Sequence, residues 1–222
     1  MVGLQTLFQL HLVSKFSELI SLFQAEYVSF TDPEKYLNCQ NSGTTARLLT
    51  GLLAGKKINA KLIGDESLSK RPMERIVAPL SKMGLNIKSN NGKLPITIKG
   101  TDNPNPINYK EVKGSAQCKS AVMLAALNTK GQTIIKAKKS RNHTELLCKH
   151  LKLPVSIRKR KNHDEIKVRK IKKIKTLNYE IPSDISSSAF FIVLTILSDN
   201  SELIIKNVNI NSSRIGILKI IN

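Results

Sequence analysis

The stretch Tyr36-Leu37-Asn38-Cys39-Gln40-Asn41-Ser42-Gly43-Thr44-Thr45-Ala46-Arg47-Leu48-Leu49 runs from a short extended segment, through a polar turn, into an apolar helix. Its order of elements decides the fold because it returns twice at a fixed distance. Extended segments at residues 36–40, 109–113 and 179–182 each lead through a small or polar turn into an apolar helical stretch, at 44–54, 115–127 and 186–197. β-rich runs follow at 58–65, 133–139 and 202–208. Serine-bearing helix starts that also carry an arginine come next, at 67–80, 140–151 and 212–221. Gly43 to Ser115 and Ser115 to Ser187 are both 72 residues apart, Ser67 to Ser140 is 73, and Ser140 to Asn211 is 71. A period of this length marks a repeated supersecondary unit.

A hairpin closes each of the first two copies. Residues 87–88 and 96–98 flank Asn90-Asn91-Gly92, and Asn-Gly supplies the positive φ angles that a tight hairpin turn requires. Residues 155–158 and 166–168 flank Asn162-His163-Asp164 in the same way. The unit therefore reads strand-helix-strand-helix-strand-strand, an α/β class with mixed sheets. The third copy reaches its second helix by residue 222 and shows no hairpin. The expected organisation is a poorly matched segment at 1–35, two complete βαβαββ repeats at 36–175, and the truncated start of a second domain at 176–222.

Composition narrows the function classes. The chain has 222 residues with 41% hydrophobic content, enough for a real core. Apolar stretches such as 189–197 fall short of a membrane span. Residues 4–13 are interrupted by Gln5, Gln9 and His11 and follow no basic segment, so no signal peptide is expected. Cys39, Cys118 and Cys148 are an odd number without metal-ligand spacing, which suits reduced thiols in a cytoplasmic protein and gives no metal or disulfide framework.

Lysine and arginine number 36 against 16 acidic residues, a net charge of +20. That charge leaves nucleic acid, an anionic membrane or small anions as partners. The lysines are spread along the whole chain among many Ile and Asn, which fits compositional drift at least as well as a binding surface. In the densest region, Val155-Ser156-Ile157-Arg158 and Ile166-Lys167-Val168-Arg169 alternate, so the cations belong to the solvent face of a half-buried hairpin. Residues 170–175 read as a linker. Few aromatics lie nearby to stack on bases, and a nucleic-acid reading rests on net charge alone.

Four strings carry chemistry. Asn41-Ser42-Gly43-Thr44-Thr45-Ala46-Arg47 sits between a strand and a helix. Gly43 allows a tight turn and close ligand approach, Ser42 and Thr44 are candidate caps, and free amides plus the helix dipole favour an anion. An ordinary capped helix would show the same local pattern. Gly64-Asp65-Glu66-Ser67-Leu68-Ser69-Lys70-Arg71-Pro72-Met73 puts Lys70 and Arg71 near the next helix start, where Arg can grip a carboxylate or phosphate, or simply face solvent. Gly114-Ser115-Ala116-Gln117-Cys118-Lys119-Ser120 repeats the turn with a hydroxyl and an amide at its mouth. Ser140-Arg141-Asn142-His143-Thr144-Glu145 repeats it with an arginine. His143 is a possible general base by type, though a capping or solvent-facing role is commoner at a helix start. Turns of this kind at one repeat spacing would suit an anionic, polyhydroxylated substrate.

Taken in order, these strings resemble EPSP synthases, a family of enolpyruvyl transferases. The family carries Asn-Ser/Ala-Gly-Thr with an Arg soon after, matched by residues 41–47, and Gly-Asp-x-Ser-Leu-x-x-Arg-Pro-Met, matched by 64–73. Its Ser-Ala-Gln turn is matched by Ser115, Ala116 and Gln117, and its Ser-Arg-x-His-Thr-Glu by residues 140–145. Pro-Gly-Asp-Ile-Ser-Ser appears as Pro182-Ser183-Asp184-Ile185-Ser186-Ser187, with Ser183 in place of Gly. The resemblance runs from about Tyr36 to Asn222 and implies the inverse α/β barrel fold of repeated βαβαββ units, here incomplete. UDP-GlcNAc enolpyruvyl transferase shares that architecture but carries a reactive Cys in the loop that here reads Glu66-Ser67-Leu68-Ser69-Lys70.

The resemblance implies phosphoenolpyruvate contacts from Gly43 and Arg71. It implies shikimate 3-phosphate contacts from Ser115, Ala116 and Gln117, with Gln117 reaching both substrates, and from Ser140 and Arg141. It implies a cytoplasmic enzyme of aromatic amino-acid biosynthesis, monomeric, without metal or organic cofactor, and with no nucleic-acid or membrane partner. The family's early Lys-Ser-x-Ser-His-Arg string does not occur here, residues 1–30 do not match it, and the later catalytic residues fall beyond residue 222. No catalytic residue is therefore assigned, and an inactive central fragment that only binds the anions is the competing expectation.

Overall fold

The computed structural model describes residues 31–172 and 179–221, which fall into two compact units along that boundary. Residues 1–30 and residues 173–175 of the expected linker lie outside the described residues.

Unit 31–172 is built twice over from the same six steps. β1 (Leu37–Asn38), α1 (Gly43–Ala54), β2 (Asn59–Ile63), the short α2 (Glu66–Ser69) with α3 (Glu74–Lys82), β3 (Asn86–Asn90) and β4 (Lys93–Lys99) form the first. β5 (Asn108–Glu111), α4 (Ala116–Ala126), β6 (Gln132–Lys138), α5 (His143–His150), β7 (Val155–Lys159) and β8 (His163–Arg169) form the second. The sheets have the same strand order, β1-β2-β4-β3 and β5-β6-β8-β7, each with one parallel pair and two antiparallel pairs. These are the βαβαββ units of the sequence reading, as two open four-stranded sheets.

Local chemistry explains where the helices start. Ser42 Oγ accepts from Thr45 N at 3.1 Å and Ser115 Oγ from Cys118 N at 3.2 Å, each satisfying one orphan amide of the helix it opens. Asp65 caps α2 by accepting from Leu68 N at 2.7 Å. The single helix expected over 67–80 is broken at Arg71-Pro72, because the residue before proline is driven out of helical geometry. α1 and α4 are rich in small and apolar residues and lie against each other, with Gly51 facing the Ala121 backbone. Leu62, Ile96 and Ile98 of the first sheet and Ile135, Ile166 and Val168 of the second complete one shared core.

Both hairpins form. Asn91 and Gly92 take positive φ, 48° and 73°, as the tight turn requires. The second turn falls earlier than Asn162-His163-Asp164: Arg160 N donates to His163 O at 2.9 Å, and His163 and Asp164 enter β8. The gain is a ladder in which β8 pairs with all seven residues of β6, and that outweighs a local turn preference. Ile166 and Val168 are buried while Arg169 is exposed, as the alternation implied. Ile171 packs on this core and its amide donates to Leu127 O at 2.9 Å, so the first residues of the expected linker are held by the first unit.

In unit 179–221, Asp184 caps α6 (Ile185–Ile196) by accepting from Ser186 N at 3.2 Å, and α7 spans Gly216–Ile221. The strand expected at 202–208 is reduced to a parallel bridge between Val208 and Ser183. In the first two repeats the corresponding strand also pairs with an antiparallel return strand, and residues 209–221 provide none. Phe190, Leu194 and Ile196 of α6 are exposed.

Candidate functional site

All seven expected site residues lie in the first unit: Gly43, Ser115, Ala116 and Gln117 where α1 and α4 open, Arg71 in the turn between α2 and α3, and Ser140 and Arg141 in the turn before α5. Gly43, the first residue of α1, is buried. A Cβ at Gly43 would lie 2.8 Å from Arg47 Nη1 and 3.5 Å from Arg71 Nη1, so glycine lets two guanidiniums approach the turn. Arg47 stands one helical turn after Gly43, on the same face of α1. Its Nη2 donates to Pro72 O at 3.2 Å and its Nη1 to Gln117 Oε1 at 2.5 Å. Gln117 Nε2 donates to Thr44 Oγ1 at 2.6 Å. The amide of α4 is thus clamped between two residues of α1. Arg71 Nη2 donates to Asn41 Oδ1 and lies 3.5 Å from Ser67 Oγ.

This cluster is strongly electropositive. Burial lowers the Arg47 pKa; the Cys118 sulfur acts against this, and the nearby Arg75 and Arg71 guanidiniums lower it further. Among the described residues, no ion pair supplies Arg47, Arg71 or Arg75 with a carboxylate. A carboxylate or phosphate would supply the missing counter-charge in the fork geometry that arginine favours.

The second turn offers donors of another kind. Ser115 Oγ uses a lone pair for capping, which leaves its hydroxyl proton available to a ligand. Ala116 opens α4, where the first amides have no helical partner. Ser140 Oγ is buried without a hydrogen-bond partner among the described residues, and Arg141 beside it is exposed. Lys119 Nζ donates to Arg141 O at 3.0 Å, tying this turn to α4 just beyond Gln117. His143 is exposed at the start of α5, whose cap residue Asn142 makes no side-chain capping bond.

The structure thus brings Arg47 and Arg71 to Gly43, ties Gln117 to Arg47, and ties Arg141 to α4 through Lys119. Arg47, Thr44 and Lys119 were not on the sequence list of contacts. The signal for Arg47 was its four-residue spacing from Gly43; that for Lys119 was a lone cation inside an apolar helix. No group of three or more metal-ligating side chains occurs among the described residues, and none of their helices is long and apolar enough to cross a membrane.

The family model for EPSP synthase (3-phosphoshikimate 1-carboxyvinyltransferase) matches residues 4–222, beginning well before the stretch in which the motifs lie. The 3-phosphoshikimate 1-carboxyvinyltransferase of Ruthia magnifica is 44% identical over 186 residues, covering 83% of this chain and 42% of that protein. That of Streptococcus agalactiae is 39% identical over 214 residues, covering 95% of this chain and 49% of the relative. The EPSP synthase structure from Acinetobacter baumannii superposes with a TM-score of 0.74 at 36% identity, over 85% of this chain and 42% of that one. The chain spans about half the length of the curated relatives it matches. It belongs to the EPSP synthase family.

Proposed function

We propose that this chain supplies the substrate-binding part of a 3-phosphoshikimate 1-carboxyvinyltransferase, which moves the enolpyruvyl group of phosphoenolpyruvate to shikimate 3-phosphate. In that reaction a shikimate hydroxyl adds to C2 of phosphoenolpyruvate as the methylene carbon takes a proton, and the adduct then expels phosphate. Reactants and adduct are polyanionic throughout, so preset cations and hydrogen-bond donors are the main requirement. The observation that carries the reading is the convergence on the Gly43 turn of Arg47, which is joined to Gln117, and Arg71, neither of them with a carboxylate ion pair among the described residues.

In this reading Gly43 and Arg71 hold phosphoenolpyruvate. Ser115, Ala116 and Gln117 hold shikimate 3-phosphate, Gln117 reaches both, and Ser140 and Arg141 meet the phosphorylated substrate. The enzyme acts as a cytoplasmic monomer without metal or organic cofactor. A narrower reading stands beside it, in which these 222 residues bind both anions without turning them over.

Isothermal titration of the purified chain with shikimate 3-phosphate tests the proposal. Binding is expected, and Gln117→Ala should weaken it about tenfold or more through lost charge-assisted contacts. A parent chain that ignores shikimate 3-phosphate yet holds RNA at physiological salt would refute it in favour of the charge-based reading. Phosphate release with both substrates present separates the full reading from the narrower one.

A further inference from the structure

Lys119 has no assigned role in binding above, yet it is among the largest fully buried side chains of the described residues, 1% exposed and the one charged residue of α4. Its ammonium forms an ion pair with Glu145, 2% exposed in the first turn of α5, and also donates to the Arg141 carbonyl at 3.0 Å. Beside it, Ser120 and Thr144 hydroxyls hydrogen-bond at 2.7 Å. Three polar links therefore tie the segment 141–145 to α4. An apolar pair of similar volume would commonly hold two helices at least as firmly, because removing two charges from water offsets most of their attraction. What an apolar pair cannot do is grip the Arg141 carbonyl. That carbonyl belongs to the turn bearing the Ser140 hydroxyl, which is buried without a hydrogen-bond partner among the described residues.

We propose that Lys119, neutralised by Glu145, is a positioning residue: it fixes the Arg141 backbone and thereby sets where the Ser140 hydroxyl and the Arg141 guanidinium meet a phosphorylated substrate. The substrate half of this inference rests on the reading given under Proposed function; the anchor itself does not.

The test uses the whole chain, unmodified and as the double variant Lys119→Met with Glu145→Leu, which removes both charges and keeps the bulk. In the unmodified chain, backbone order parameters of Arg141 and Asn142 should equal those of rigid helix, about 0.85. Values below about 0.6 overturn the anchor without any variant, which also decides the matter if the double variant does not fold. In the folded double variant, amide exchange over residues 140–143 should rise about tenfold or more. Affinity for shikimate 3-phosphate should fall about tenfold, while phosphoenolpyruvate affinity and Tm hold. Exchange equal to the parent's overturns the positioning role, and so does a lower Tm with undiminished affinity. Faster exchange in the variant of a parent that never bound shikimate 3-phosphate keeps the anchor and overturns its substrate half.

Discussion

Replacing Gly51 by alanine would ordinarily stabilise a helix by about 1 kcal/mol, because glycine is the poorer helix former. Here the opposite is expected. A Cβ on Gly51 would lie 2.2 Å from the Ala121 carbonyl oxygen and 2.6 Å from its Cα, both backbone atoms of α4. Ordinary contact begins near 3.4 Å, so α1 and α4 must part by about 1.2 Å, the difference from 2.2 Å. No side chain can swing aside to relieve the clash. Overpacking of this sort costs roughly 1–3 kcal/mol, at the upper end where backbone must move. The same two helices carry Arg47 and Thr44 on one side and Gln117 on the other, with hydrogen bonds of 2.5 and 2.6 Å that a shift of this size would break. Each contributes about 1 kcal/mol. The net loss is about 2–4 kcal/mol, or roughly 5–15 °C in Tm for a chain of this length. Denaturant unfolding and a thermal scan measure it, with Gly216→Ala as the control, since nothing lies within 4 Å of that Cβ position. Gly51→Ala at or above the parent's stability would refute the argument that helix contact, rather than helix propensity, governs this position.

Other outcomes follow from single contacts. Asp184 both caps α6 and accepts from Arg214 Nη2 at 3.0 Å, so Asp184→Ala should cost about 1 kcal/mol, read as local exchange in α6. Burial, reinforced by the Glu145 charge, pushes the Cys148 thiol up to about 11 from an ordinary 9.0. Above the unfolded value the unfolded chain loses this proton first, so its stabilising effect is present below pH 9.0 and disappears as pH rises through about 11. The advantage of the parent over Cys148→Ala in unfolding free energy should shrink across that window; an unchanged difference would contradict the buried thiol. Blocking by iodoacetamide at pH 8 should accordingly be slower in the folded chain than in the urea-unfolded one.

Much of the fold is legible in the chain because repetition is a linear property. The recurrence of strand, polar turn and apolar helix near every 72 residues fixed the unit, and Asn91-Gly92 fixed the first hairpin to the residue. The errors lie where long-range pairing competes with local preference. Asn162-His163-Asp164 has the chemistry of a turn, yet the full-length ladder of β6 draws His163 and Asp164 into β8. Residues 202–208 have strand composition, yet among the described residues their strand pairing is limited to the bridge at Ser183, and composition without a pairing strand makes no sheet.

The site divides in the same way. Sequence alone determined that glycine, hydroxyl, amide and arginine recur where helices begin, because capping and turn chemistry are local, and the ordered motifs determined the family. Only the tertiary structure decided that Gln117 hydrogen-bonds across to Arg47 and Thr44, 70 and 73 residues away. It also decided that the lone Lys119 of an apolar helix is paired with Glu145 and anchors the Arg141 turn. Those contacts depend on how closely α1 and α4 approach at Gly51 and on which face α5 turns towards α4. Both are set by packing between distant segments, and no local pattern encodes that distance.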